Sequence, residues 1–416
     1  MNLLELNLPQ IDSPCKLGIW IQHREEELRD EMRLRLQSEV QSQIAALESS
    51  YKGVRQHRQF HLHTGFGTIE LRKRVYRNPE GKSFCPVDAC RLPVNGWLPH
   101  VLELASALGV SMEFQRANEL FTKWTMVKVS EKTLANQVEN QGMMLIEEEK
   151  ERLDHPTYGI ETALTRQVCA QAPRVYVEMD GIMTPLNRGQ RCREARVGVI
   201  FWEDDLWQLS PKRKWIKARE YVATLDSWTC FASRLRQRYT EVVKEERCQT
   251  LILGDGAKRI WRVADEEFPE AIQILDFYHL SEYVWAIARG AWPNQVRMQE
   301  DWVKIQLDRL KDSNPQDVLE SLKHLPRTRD RYEACKRFKS YIRNNAHRMD
   351  YKRYLAEGYM IGSGVIESSN RRIVTQRLKQ AGMHWSWNGA NSVMALRACY
   401  LSSSDHWENR WNAVAA

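Results

Sequence analysis

The fold prediction starts from residues Val175 to Gly181, which have the sequence Val-Tyr-Val-Glu-Met-Asp-Gly. Its apolar residues alternate with tyrosine and glutamate, which is the period-two pattern of a β-strand. A second run, from Thr250 to Gly256, has the sequence Thr-Leu-Ile-Leu-Gly-Asp-Gly and also ends at an Asp-Gly pair. Buried strands that end in this way deliver a carboxylate to the edge of a sheet. We therefore expect Asp180 and Asp255 to lie side by side, where they can share one hard cation.

The segments around these two runs predict a mixed α/β domain. Further strands are expected at residues 196–202, 220–225 and 272–277, and helices at 227–243, 260–268 and 280–289. The resulting order, three strands followed by alternating helices and strands, is that of a ribonuclease-H-like domain. In that fold the first and fourth strands are neighbours, so the order also brings Asp180 and Asp255 together. A predicted loop between the second and third strands is rich in cations and contains Lys212, Arg213 and Lys214.

A third acid follows much later, in the run Gly362-Ser363-Gly364-Val365-Ile366-Glu367. The glycines predict a turn and a helix that begins at about Ser363 or Gly364, with Glu367 in its first turn and facing the sheet. The same helix carries side chains that suit phosphate, namely Asn370, Arg371, Arg372, Arg377 and Lys379. The preceding residues 292–354 predict several helices dense in cations, either a surface for phosphates or a solvated face.

Three carboxylates in this arrangement are suited to phosphodiester chemistry on DNA. Two Mg2+ (or Mn2+) ions about 3.5–4 Å apart hold the attacking and leaving oxygens of such a reaction. Mg2+ prefers oxygen ligands to a cage of His and Cys. We expect Asp180 to bridge the two ions, Asp255 to complete one coordination sphere and Glu367 the other. Because Asp-Gly is a common turn, the two pairs carry weight only at the ends of apolar strands.

The N-terminal part of the chain predicts three further features, each with two interpretations. A helix over about residues 22–50 has an apolar stripe, which either packs on its own domain or associates with a second copy. A β-hairpin at 57–77 precedes Cys85 and Cys90, which are ordinary thiols or half of a Zn2+ site completed by a nearby histidine. The candidates for that histidine are His57, His61 and His63. Helices between 98 and 149 form either a helix-turn-helix that binds DNA or another small bundle.

Composition is consistent with this outline. The formal charge of +7 suits a polyanionic partner, although its placement matters more than its size. The nine scattered cysteines favour a reducing cytoplasm. Neither a signal peptide nor a membrane-spanning run is predicted.

These patterns divide the chain into seven regions. The first three are an N-terminal helical segment (1–56), a β-hairpin with the cysteine pair (57–95) and a helical, helix-turn-helix-like DNA-binding region (96–155). The core begins at 174–290, is interrupted by a basic helical insertion at 291–357 and resumes at 358–402 with the glutamate helix and a last helix. A tail of residues 403–416 follows.

Several of these motifs together resemble a known family. They are the two Asp-Gly pairs, Asp276-Phe277-Tyr278-His279, the run from Gly362 to Asn370, and Gly382-Met383-His384-Trp385-Ser386. The sequence resembles bacterial insertion-sequence transposases of the Kra-type and Lre-type groups, within the DDE class, over roughly residues 174–401. The likeness is looser over 60–149, where some relatives have more cysteines. Related transposases carry a helical insertion before the glutamate helix and a Cys- or Asp-x-x-His element, which Asp276 and His279 match.

The resemblance implies a DNA-joining enzyme. It implies binding to the terminal inverted repeats of an element, cleavage of each 3′ end with water, and attack of the freed 3′-hydroxyl on target DNA. It also implies a homo-oligomer on DNA, at least a dimer, in the nucleoid-associated cytoplasm. Trp385 and Trp387 either stack on unpaired bases or belong to the core. His279 either orients a transition-state oxygen or caps its helix, and Asp276 is interpreted as structural rather than as a fourth ligand.

Two other functions are compatible with the same residues. One is a domesticated transposase that binds DNA without cutting it, and the intact set of three acids argues against it. The other is a ribonuclease-H-like nuclease or junction resolvase that cleaves without joining, and the long N-terminal region argues against that. Inverted repeats beside the gene would favour the transposase.

Overall fold

The computed structural model describes residues 14–90, 92–93, 95–154, 172–186, 192–210, 213–244, 248–312 and 315–415. The chain divides into two compact units, residues 1–138 with 410–416 and residues 139–409. The predicted linker around Pro156 and Gly159 lies outside the described residues, as does Lys212. The seven regions predicted from the sequence are finer than this division and stay predictions.

The first unit contains a helix packed along a β-hairpin. Its elements are α1 (Pro14–Glu48), β1 (Gln56–Thr64), β2 (Gly67–Arg77), β3 (Ser83–Phe84), α2 (Pro99–Ser111), α3 (Phe114–Thr125) and the start of α4 (Glu131–Asp154). The predicted hairpin is present, and Gly67 at its turn has a φ of +109° that favours glycine. Ile44 of α1 packs against the hairpin, and the Gln41 side chain exchanges two hydrogen bonds with the backbone of Arg72. The second half of α1 therefore packs within its own unit.

The helices predicted after the hairpin are also present. Ser130 caps the third helix, α4, because its hydroxyl accepts a hydrogen bond from the Thr133 amide at 3.0 Å. Glycine often ends a helix, yet α2 continues past Gly109 to Ser111. A Cβ on Gly109 would lie 2.6 Å from a methyl group of Val138, so this glycine permits close helix packing instead.

The second unit is built on a five-stranded mixed sheet. Its strands are β4 (Arg174–Thr184), β5 (Arg193–Trp202), β8 (Glu220–Thr224), β9 (Gln249–Gly254) and β10 (Ile272–Leu275), with a separate hairpin of β6 (Leu206–Ser210) and β7 (Arg213–Ile216). The order across the sheet is β10-β9-β4-β5-β8. β5 runs antiparallel to β4 and β8, whereas β9 runs parallel to β4 and β10. The first and fourth strands of the predicted core, β4 and β9, are therefore neighbours, as the sequence predicts.

Two predicted boundaries in this sheet are wrong. β4 does not end at Asp180, because its antiparallel pairing with β5 continues to Thr184 opposite Arg193. The cationic segment predicted as a loop instead forms the β6–β7 hairpin, in which Trp207 pairs with Trp215. Both differences arise from antiparallel pairing with the next strand along the chain.

Helices surround the sheet and form the insertion. They are α5 (Trp228–Val242), α6 (Lys258–Glu267), α7 (Phe277–Ala291), α8 (Val296–Asp312), α9 (Pro315–Ser321), α10 (Arg329–Asn345), α11 (Tyr351–Ala356), α12 (Gly364–Asn370), α13 (Gln376–Leu378), α14 (Trp387–Leu401) and α15 (His406–Ala415). The insertion comprises α8 to α11. It contacts the edge strand β10 through the hydroxyls of Tyr351 and Tyr354, which donate hydrogen bonds to the carbonyls of Leu275 and Gln273 at 3.0 and 3.2 Å. These bonds cover part of the edge of the sheet.

The segment with the third acid begins where the sequence predicts. α12 starts at Gly364 and passes through a π-helical turn, Arg371–Thr375, into α13. α14 begins at Trp387, earlier than predicted, and is buried from Gly389 to Cys399. In the part of the chain that the structure describes, no helix combines the length and hydropathy that crossing a membrane requires.

Candidate functional site

Asp180 and Asp255 occupy matching positions on two adjacent parallel strands. The parallel register ends with Glu178 opposite Leu253, so each aspartate lies two residues beyond the last pair. Burial raises the pKa of the Asp180 carboxyl, and the nearby charge of Asp255 raises it further. The structure therefore brings the two predicted aspartates into one electrostatic neighbourhood.

Two donors fix the Asp180 carboxylate. The Gly181 amide donates a hydrogen bond to Oδ1 at 2.7 Å, and Nδ2 of Asn370 donates to Oδ2 at 2.6 Å. Both bonds favour the charged carboxylate and partly oppose the effect of burial on its pKa. Asn370 lies at the end of α12, three residues after Glu367, so this bond connects the glutamate helix to β4.

A second bond connects the start of the same helix to β4. The Ile366 amide donates to Oε2 of Glu178 at 2.8 Å, and Glu178 is fully buried. Burial raises the pKa of Glu178 well above its usual value, and the charges of Asp276 and Glu367 add to that effect. Oε1 of Glu178 has no hydrogen-bond partner among the described residues. No role for Glu178 beyond its place in the strand is predicted from the sequence.

Asp276 is structural in this arrangement. Its Oδ1 accepts hydrogen bonds from the amides of Tyr278 and His279 and so caps α7. Its Oδ2 accepts the amide of Ser363 at 3.0 Å and also the Ser363 hydroxyl. Asp276 therefore joins the start of α7 to the turn before α12, and its oxygens are used within the protein.

His279 lies in the first turn of α7 with its side chain about 42% exposed. Its charged form lowers the pKa of Asp180, which places the imidazole within electrostatic range of that carboxylate. The carboxylate of Asp276 caps this helix, so the capping role considered for the His279 side chain belongs to Asp276.

The glutamate helix is hydrogen-bonded to Asp180, but the three carboxylates do not form a compact cluster. Across the described ranges, no group of three His, Cys, Asp or Glu side chains is arranged to hold a metal ion. Glu367 itself is exposed. The donor chemistry nevertheless fits Mg2+, because Asp180, Asp255 and Glu367 offer only oxygen. The raised pKa values of Asp180 and Glu178 reflect burial first and the charges of neighbouring acids second.

The predicted DNA contacts fall into three groups. Arg371 and Arg372 are exposed, directly after α12, and Trp387 is half-buried. Lys379 is also half-buried, and burial lowers its pKa. Arg213 and Lys214 lie on β7.

Burial favours the core interpretation of Trp385 and also places Arg377, a predicted DNA contact, in the interior. Arg377 is fully buried and Trp385 is 6% exposed. The guanidinium of Arg377 lies over the Trp385 ring at 4.8 Å from its centroid. The two side chains contact each other in the interior and present no surface to a nucleic acid.

Cys85 and Cys90 are free thiols. Cys85 packs against the core of the hairpin, and Cys90 is exposed. Nδ1 of His63, one of the histidines considered for Zn2+, forms a hydrogen bond with the Thr68 hydroxyl at 2.9 Å. These contacts fit the interpretation of the pair as ordinary thiols.

Two aromatic contacts of Tyr341 beside Asp255 are not predicted from the sequence. The Tyr341 ring, from the insertion, packs on Gly256, where a Cβ would lie 2.1 Å from Cε2 of the ring. Tyr341 also stacks on Tyr283 with 4.3 Å between centroids. No local pattern indicates a contact between Gly256 and Tyr341, which are far apart in the sequence. By contrast, Asn370 lies three residues after Glu367, and this spacing could have suggested that the two side chains share a helix face.

The fold and site define a mixed α/β protein with a helical insertion and an acidic centre on its sheet. The family model of the uncharacterised protein family UPF0236 matches residues 21–414, and the chain belongs to that family. No curated protein matches the chain. Among solved structures, the strand transfer complex of the Drosophila P element transposase is 9% identical, with a TM-score of 0.24, over 76% of this chain and 81% of that chain.

Proposed function

We propose that this chain is a DDE transposase of a bacterial insertion sequence. The observation that carries the proposal is the arrangement around β4. Asp180 and Asp255 hold matching positions on adjacent parallel strands, and the helix of Glu367 is hydrogen-bonded to β4 at Glu178 and Asp180. Three antiparallel strands followed by two parallel ones also support the assignment of a ribonuclease-H-like core.

The proposed metal ligands are Asp180, Asp255 and Glu367, for two Mg2+ or Mn2+ ions. When bound, the ions would supply a deprotonated nucleophile and positive charge at the reacting phosphate. Gly181 and Asn370 fix the orientation of the Asp180 carboxylate through their hydrogen bonds. Asp276 fixes the turn from which the Glu367 helix begins. His279 would orient an oxygen of the reacting phosphate.

The proposed reaction has two steps, a hydrolysis followed by a transesterification. In the first, a water oxygen bonds to the phosphorus at the element end, and the P–O3′ bond breaks to leave a 3′-hydroxyl. In the second, that hydroxyl attacks a phosphodiester of target DNA, forming a new P–O bond while the target 3′-oxygen leaves. The second step conserves the number of phosphodiester bonds and needs no nucleotide cofactor.

The proposed DNA partners are the terminal inverted repeats and the target. Arg371 and Arg372 are exposed beside the glutamate helix and would contact phosphates there. The helices α2 to α4 would bind the repeats in the manner of a helix-turn-helix. Because both ends of the element must be handled together, the active form would be a dimer or a larger oligomer.

The test uses purified protein and DNA that carries the inverted repeats flanking the gene. Asp180→Asn, Asp255→Asn and Glu367→Gln should each reduce end cleavage at least about a thousandfold, because each removes a proposed charged ligand. Repeat binding in EDTA should change little. Asp308→Asn and Glu300→Gln, which neutralise exposed acids on α8, should cleave normally. EDTA should stop cleavage by the wild type, and added Mg2+ should restore it.

The outcomes separate the competing functions. Cleavage without joining would favour a nuclease or resolvase. Tight repeat binding without any Mg2+-dependent cleavage would favour a domesticated DNA-binding protein. Full cleavage by any of the three site variants would remove that residue from the proposed site.

A further inference from the structure

An open cleft of about 630 Å³ begins one residue after Asp255. One wall is α6, and the other is the C-terminal end of α10 with the turn Ala346–Arg348 that follows it. Gly256 lies at the end of the cleft nearest the proposed metal ligands. A volume of this size can admit a nucleotide.

The charges on α6 are arranged against the helix dipole. Lys258 and Arg259 occupy the first turn, which favours acids, whereas the last turn, which favours cations, contains Asp265, Glu266 and Glu267. The arrangement is unfavourable for the helix alone. It concentrates positive charge at the end of α6 that adjoins Asp255.

Two of the cations on α6 are available to a ligand. Lys258 and Arg262 are exposed, line the cleft and form no ion pair within the described part of the chain. Their spacing of one helical turn puts them on the same face. Arg259 differs, because it pairs with Glu194 at 2.9 Å.

Two largely buried side chains, Trp261 and Arg348, contribute to the wall of the cleft. The Arg348 guanidinium lies 4.3 Å from the centroid of the Trp261 ring, and both residues line the cleft. Nε1 of Trp261 is buried and has no hydrogen-bond partner among the described residues. The cleft thus offers two exposed cations at its rim, with Asp265 and Glu266 on the same helix, and a buried planar cation in its wall.

We propose that this cleft is a subsite for one nucleotide of a single-stranded DNA segment that continues from the metal site. Its phosphate binds between Lys258 and Arg262, and its sugar and base lie along the Arg348–Trp261 pair. The inference rests on the proposed function in taking DNA as the substrate, and it adds the place of the adjoining nucleotide.

The test measures binding without chemistry. Full-length protein in EDTA is titrated into a short fluorescein-labelled single-stranded oligonucleotide at several salt concentrations, and binding is followed by anisotropy. The double variant Lys258→Gln/Arg262→Gln should bind at least about tenfold more weakly. The slope of log affinity against log salt should become shallower by about 0.7, the value expected for the loss of one phosphate contact on a single strand.

The matched control is Arg297→Gln/Lys304→Gln, which removes the same charge from exposed positions on α8 outside the cleft. Its slope should equal that of the wild type. The melting temperature of the cleft variant should not fall, because neither cation has an ion-pair partner among the described residues and Lys258 opposes the helix dipole. A lower melting temperature with unchanged binding would mean that the two cations have a structural role only and would overturn the proposal.

Two further results test the cleft independently of the proposed cleavage and joining. An unchanged slope in the cleft variant overturns the subsite even if the wild type cleaves and joins DNA. A reduced slope confined to that variant supports the subsite even if no cleavage is found. Inorganic phosphate should compete poorly with the oligonucleotide at equal ionic strength, and efficient displacement by phosphate alone would assign the cleft to a free anion instead.

Discussion

At the scale of single residues, the acidic centre depends on amide donors from one helix. Asn370 is 7% exposed, and its Nδ2 is 2.6 Å from the Asp180 carboxylate. A hydrogen bond to a charged group contributes about 1.5–3 kcal/mol, and losing one buried partner leaves the other unsatisfied. The orientation of Asp180 is therefore linked to the position of α12.

We expect Asn370→Ala to lower the free energy of unfolding by about 1.5–3 kcal/mol, because the buried Asp180 carboxylate loses a donor. Urea denaturation followed by circular dichroism measures this change. Arg371→Ala, at the exposed neighbouring position, should change it by less than about 0.5 kcal/mol. Equal effects of the two substitutions would show that the bond to Asp180 contributes little.

At the scale of elements, the helical insertion contacts the acidic centre directly. Tyr341 of α10 packs on Gly256, and burial raises the pKa of its hydroxyl, with a further contribution from the charge of Asp255. Tyr283 of α7 stacks on the same ring. The position of the Asp255 turn therefore depends on the packing of α10 against α7.

Gly256→Ala should destabilise the protein by about 1–3 kcal/mol, because the added methyl group would overlap the Tyr341 ring. The same substitution in a Tyr341→Leu background should cost less, since the smaller side chain leaves room for the methyl. The four proteins form a double-mutant cycle, and unfolding free energies should give a coupling of about 0.5–3 kcal/mol. Additive effects would contradict a direct contact.

Local patterns in the sequence predicted where several elements begin and which strands are neighbours. The Asp-Gly pairs follow the end of the parallel pairing between β4 and β9, and the Gly-Ser-Gly turn marked the start of α12. These signals are local, because strand alternation and helix starts depend on adjacent residues. They also identified Asp180 and Asp255 as a pair, before any information on packing.

Contacts between elements determined what the sequence did not predict. The extension of β4 past Asp180 depends on its pairing with β5, and the burial of Arg377 depends on the Trp385 ring that covers it. An arginine near a catalytic helix suggests phosphate binding by its residue type alone. Only the folded chain distinguishes it from Arg371, which is exposed on the preceding turn.

At the scale of the whole molecule, a half-buried histidine of the second unit lies among residues that are far apart in the sequence. The His406 side chain, at the start of α15, is 25% exposed and lies 3.5 Å from Glu241. Burial lowers the pKa of His406 to about 3, and the charges of Arg238 and Arg152 contribute to the same effect. His406 is therefore neutral in the folded protein over most of the acidic range.

The stability of the protein should fall as the pH decreases below about 6.5, the ordinary pKa of histidine in an unfolded chain. Between that value and the folded pKa of about 3, the unfolded state binds a proton that the folded state does not. At pH 5 this difference opposes folding by on the order of 1–2 kcal/mol.

His406→Gln should remove that part of the pH dependence, so the unfolding free energies of variant and wild type should converge or cross as the pH falls from about 7 to 5. His324→Gln, at an exposed position, should keep the wild-type dependence. Parallel curves for His406→Gln and the wild type would show that Glu241 stabilises the imidazolium enough to cancel the effects of burial and of the two arginines.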